Sequence, residues 1–70
     1  MEYMEFVRKY REYDKEIERD PVYVMAVYKQ ERREIKRNHK ITRKARNHLL
    51  KILENLLEKA SQKRGTVFGG

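Results

Sequence analysis

Cysteine is absent from the chain, which excludes disulfides and cysteine-based metal sites and leaves the redox compartment unmarked. Proline occurs once, at Pro21, and the three glycines, Gly65, Gly69 and Gly70, all lie at the carboxyl end. The interior therefore has almost no turn punctuation, which argues for helices. Period-two alternation of β-branched residues is missing as well. The one β-like fragment, Tyr23 to Tyr28, reads as helix in its surroundings. No apolar run approaches the roughly 20 residues of a membrane span. The opening Met1-Glu2-Tyr3-Met4-Glu5 is acidic and aromatic, where a secretory leader would be basic and then apolar. A soluble cytoplasmic protein with no membrane attachment is the expectation.

The scarcity extends to catalytic groups. The single serine, Ser61, has no neighbouring histidine to activate it. His39 and His48 are nine positions apart, off the three- or four-residue spacing of a helical metal pair, and read as solvated side chains. Glu12, Asp14, Glu16, Glu18 and Asp20 read as a solvated acidic face, or as an internal counterpart to the basic block of residues 29–51. Neither enzyme activity nor a metal or cofactor is expected.

What the chain does hold is charge and a thin apolar stripe. Of its 70 residues, 41% are charged and 39% hydrophobic, enough for one small domain that folds alone only marginally. Tyr3, Phe6, Val7, Tyr10, Tyr13 and Ile17 recur in steps of three and four, predicting a helix from about Glu2 to Arg19. Asp20-Pro21 closes it and opens the next: aspartate is a favoured N-cap, and proline suits the first helical position. A second helix is expected from Pro21 to about Arg37, its apolar side formed by Val24, Met25, Val27, Tyr28 and Ile35. A break is expected over residues 38–42, with Asn38 in a left-handed cap and Thr42 as the next N-cap. The strongest helix runs from about Arg43 to Lys63, with Ala45, Leu49, Ile52, Leu53, Leu56, Leu57 and Ala60 as its apolar face, and Gly65 as its C-terminal cap. The fold class is thus all-α, a small three-helix bundle made of a helical hairpin plus a long third helix. Residues 1–64 form the domain and 65–70 a flexible tail. Apolar surface left over on the third helix allows a homodimer.

The charge is unevenly placed. The formal net charge is +7, yet residues 29–51 contain ten basic residues against only Glu31 and Glu34. Lys29–Arg33, Arg32–Lys36, Arg33–Arg37 and Lys36–Lys40 are like-charge neighbours four apart. Together they cost about 1–2 kcal/mol in a protein with about 5 kcal/mol of net stability. Arg43 and Lys44 follow Thr42, at a helix start where acids would be favoured. An anionic ligand relieves both penalties: cations beside exposed amides form a phosphate site, and a cationic stripe gains by counterion release. The expected role is therefore a small basic nucleic-acid-binding protein, for DNA or RNA, without catalysis. Its backbone-contacting residues would be Lys29, Arg32, Arg33, Lys36, Arg37, Lys40, Arg43, Lys44, Arg46 and Lys51. Arg33, Arg37, Asn38, Arg43, Arg46 and Asn47 have the donors to reach base edges, although phosphate contact is the simpler expectation. The alternative is a protein-interaction module, a regulator or inhibitor docking on an acidic surface of a larger complex.

Overall fold

The computed structural model describes residues 2–69, with side chains for 2–64. It contains three helices in the order α1 (Tyr3–Glu16), α2 (Pro21–Arg37) and α3 (Arg43–Gly69). The all-α bundle expected from periodicity is the one found. The molecule is a short rod of 43 × 16 × 16 Å. α2 packs most extensively on α3, α1 packs mainly on α3, and α1 and α2 touch least.

The first boundary follows from local chemistry. The Asp20 side chain accepts a hydrogen bond from the Tyr23 amide at 3.1 Å, and Pro21 occupies the first helical position. α1 ends three residues earlier than the sequence suggests, at Glu16, and Ile17 in the following turn is fully buried. Burial of that side chain pins the α1–α2 connection to the core.

The second connection is also fixed. Thr42 caps α3: its Oγ1 accepts from the Ala45 amide at 3.1 Å, and its carbonyl oxygen accepts from the Arg46 amide at 2.9 Å. Asn38 does not take the expected left-handed conformation. It is extended, with φ −78° and ψ 113°, and its Oδ1 accepts from the Lys40 amide at 2.9 Å. A side chain that turns back on the backbone two residues on reverses the chain without positive φ. Ile41 is buried, anchoring the loop from below. α3 extends past the expected end at Lys63, to Gly69. The helix therefore runs through Gly65, which does not cap it as expected; the side chains of 65–70 lie outside the described residues.

The core among the described residues is a single cluster: Phe6, Tyr10 and Ile17 from the α1 side, Val24 and Ile35 from α2, Ile41 from the loop, and Leu49, Leu53, Leu56 and Ala60 from α3. Ala45, Leu50 and Ile52 of α3 are half-buried against it.

Glu31 departs from this apolar rule. It is 3% exposed, accepts a hydrogen bond from the Tyr13 hydroxyl at 2.9 Å and is ion-paired to Lys9. This polar contact joins α1 to α2 where their apolar contact is slight. Burial, with Glu31's negative charge adding to it, holds the Tyr10 and Tyr13 hydroxyls above the usual tyrosine range. The unfolded chain ionises its tyrosines near pH 10, while the folded chain resists. The contribution of these two groups to stability is therefore constant below about pH 10 and is lost as the pH rises above it. Tyrosinate absorbance is expected to rise together with the loss of helical circular dichroism, and Tyr10→Phe to move that transition to higher pH. Ionisation of these hydroxyls with the helical signal intact would contradict the buried arrangement.

Candidate nucleic-acid interface

Nine of the ten cations expected at the site are exposed: Lys29, Arg32, Arg33, Lys36, Arg37, Lys40, Arg43, Lys44 and Lys51. On α2, Val24, Glu31 and Ile35 point into the core, which leaves Lys29, Arg33 and Arg37 nearest the opposite crest, with Lys36 beside it, by helical spacing. Lys29, Arg32, Arg33 and Lys36 line one shallow depression. A second depression is lined by Arg33, Arg37 and Lys40, with Gln30, Glu34, Asn38 and His39. Arg33 belongs to both, so six cations form one continuous surface from Lys29 to Lys40.

The α3 cations are arranged differently. Lys44 and Lys51 share the outward face of that helix, seven residues apart, with Asn47 between them. Lys44 also lines a groove with Tyr3, Thr42, Ala45 and His48. Arg43, Lys44 and Lys51 line neither depression on α2.

Arg46 is not a surface cation. It is half-buried, and its Nη2 donates to the Asn38 carbonyl oxygen at 2.9 Å. It ties the first turn of α3 to the last residue of the α2 cap and holds the loop shut. With it Asn38 also leaves the set of base-reading candidates, since its side chain and carbonyl both serve the loop. Asn38, Ile41, Thr42 and Arg46 thus fix the end of α2 relative to the start of α3. Sequence spacing could not separate Arg46 from its neighbours, because its role depends on a carbonyl eight residues away.

The charge pairing within the molecule is informative. The ion pairs are Lys9–Glu31, Lys15–Glu12, Lys59–Asp14 at 2.8 Å and Lys63–Glu18 at 2.9 Å. The Asp14 hydrogen bond, reinforced by its charge, raises the Lys59 ammonium above the ordinary lysine value. Among the described residues no cation of the 29–51 set is in an ion pair. Glu31, one of only two acids in that stretch, is turned inward and committed to Lys9. The acidic residues of α1 and the turn after it that are paired serve Lys15 within α1 and the carboxyl half of α3, not the basic surface. The like-charge pairs Lys29–Arg33, Arg32–Lys36 and Arg33–Arg37 lie on α2 as expected. Lys36–Lys40 does not, because α2 ends at Arg37.

Of the remaining polar candidates, the Tyr3 hydroxyl is hydrogen-bonded to His48 Nδ1, and the two rings stack with centroids 5.9 Å apart. His48 is thus tied to α1 and not simply solvated. No group of three or more metal-ligating side chains is found among the described residues, and none of their helices is long and apolar enough to cross a membrane. Comparison with protein-family models, with curated proteins and with solved structures returns no match.

Proposed function

We propose that the protein binds nucleic acid through its phosphate backbone, using the cationic surface of α2 and the following loop, with α3's exposed cations adding to the local field. The observation that carries this reading is the unpaired state of nine exposed cations in a molecule that pairs its buried acid and several exposed ones elsewhere. Each like-charge neighbour on α2 costs a few tenths of a kcal/mol in the free protein. A polyanion converts that penalty into a gain by releasing its condensed counterions. The fixed loop supports the reading, because ordering the end of α2 in advance lowers what must be lost on binding.

The test exploits the opposition between stability and binding. Arg33 is exposed and sits between Lys29 and Arg37, so Arg33→Glu turns two repulsive pairs into attractive ones. It is expected to stabilise the fold by about 1 kcal/mol, raising the melting temperature by about 5 °C. It is also expected to weaken binding to nucleic acid at least about tenfold at 0.1 M salt. Thermal melts and fluorescence anisotropy on the same preparations give both values. A variant that gains stability and binds as well as the wild type would refute the reading. A protein partner captured at salt high enough to suppress polyanion binding would favour docking on an acidic protein surface.

A further inference from the structure

We infer that the depression at the end of α2 takes an unpaired guanine, whose N1–H and N2–H donate to the Glu34 carboxylate while the neighbouring cations hold the flanking phosphates. This deepens the nucleic-acid reading and rests on it. The two depressions that share Arg33 differ in kind. One is lined by cations alone, Lys29, Arg32, Arg33 and Lys36. The other has a volume of about 640 Å³ and mixes Arg33, Arg37 and Lys40 with the carboxylate of Glu34, the amide of Gln30 and the ring of His39. That volume lies within the range of sites for small organic ligands. Two seats built for phosphate would both be cationic.

Glu34 is exposed, with Arg33 and Arg37 within one helical turn of it. Among the described residues its carboxylate nevertheless takes part in no ion pair and no side-chain hydrogen bond. Its charge repels any phosphate placed beside it, so it counts against backbone contact at that spot. An ionised carboxylate accepts hydrogen bonds and donates none, and a phosphodiester has no donor to offer it. In DNA the donors belong to the bases.

The pairing edges of the four bases suit a carboxylate unequally. Adenine and cytosine set their amino group beside a ring nitrogen that accepts, and thymine sets its one N–H between two carbonyls. Guanine alone presents two adjacent donors, which match the two carboxylate oxygens. Those donors are free only in an unpaired base, the form whose pairing edge proteins can read and whose ring they stack on histidine or on arginine planes. His39, Arg33 and Arg37 line the same depression as Glu34 and supply both kinds of stacking surface. Arg33 also lines the cation-only depression. A phosphate seat and a base seat therefore adjoin, as the phosphate and base of one nucleic-acid chain do.

The experiment titrates the full chain, by anisotropy at one salt concentration, against two labelled DNA strands. Both are thymidine strands of about 20 nucleotides, longer than one site needs. One carries guanine at every fourth position, and the other carries hypoxanthine there, which lacks only the N2 amino group. Binding of the guanine strand about tenfold tighter is expected, and annealing it to its complement should remove that advantage. Glu34→Gln, which offers one acceptor and one donor, should weaken binding to the guanine strand, strengthen binding to the hypoxanthine strand and bring the ratio close to one. Its helical circular dichroism should match the wild type, since the Glu34 side chain is exposed and makes no cap. Equal binding of the two strands by the wild type would overturn the guanine assignment and leave the nucleic-acid reading intact. So would a Glu34→Gln variant that gained affinity for both strands by one factor, because Glu34 would then act only as a repelling charge. A uridine RNA strand that bound more tightly than thymidine DNA, and lost that advantage in Glu34→Gln, would assign the carboxylate to the ribose hydroxyl and overturn the base assignment. Binding to none of these strands, at any salt concentration, would remove both readings together.

Discussion

Replacing Arg33, Arg37 and Lys44 with glutamate in one variant is expected to lower affinity for nucleic acid by about three orders of magnitude at 0.1 M salt. Each phosphate contact releases about 0.9 of a counterion, worth close to tenfold in affinity at that salt concentration, and reversal adds repulsion to the loss. The helical circular dichroism should not change. All three side chains are exposed, and none holds an ion pair or a cap. The residues chosen sample three places: the crest of α2, its last residue and the first turn of α3. Arg46 is left out deliberately, because its contact with the Asn38 carbonyl makes a loss of binding there ambiguous between charge and loop geometry. If the triple variant keeps both its fold and its affinity, the cationic surface is not the binding surface.

Leu49→Ala should destabilise the fold by about 3 kcal/mol and lower the melting temperature by about 15–20 °C. Leu49 is 0% exposed and belongs to the cluster that joins α3 to both other helices. A chain of this size holds roughly 4–10 kcal/mol in total, so one cavity removes a large share of it. Leu50→Ala, at a half-buried position one residue away, should cost only about 1 kcal/mol. Thermal denaturation of the two variants side by side checks the assignment of α3 as the spine of the bundle. Equal effects at the two positions would mean that α3 is rotated relative to the packing described.

Much of this architecture is legible in the sequence, and the reasons are local. Helix periodicity sets which side of a helix is buried, so Phe6, Tyr10, Leu49, Leu53 and Leu56 fell where the three- and four-residue steps put them. Caps are contacts within a few residues, so Asp20-Pro21 and Thr42 could be read directly. Asn38 was placed in the loop correctly but given the wrong backbone conformation, because a side-chain turn and a left-handed cap use the same residue type. The errors that matter for the site are long-range. Glu31 was only counted among the charges of 29–51, and its burial went unread because Lys9 and Tyr13, 22 and 18 positions away, converge on it. Its spacing from Val24 and Ile35, on their side of α2, was the available signal. Arg46 looked like its neighbours and is a loop clamp. Together these two placements take an acid and a base off the surface, and the nine exposed cations remain unpaired.

Salt dependence tests the central claim most directly, because it counts the phosphates that these cations neutralise. Between 50 and 200 mM salt, the logarithm of the association constant of the wild-type protein for duplex DNA should fall linearly with the logarithm of salt concentration. Five or more contacts give a slope of about −4.5 or steeper. Removing one cation from the Lys29–Lys40 surface should flatten that slope by about one. Affinity that does not change with salt, or a slope unmoved by loss of Arg33 or Arg37, would contradict the account.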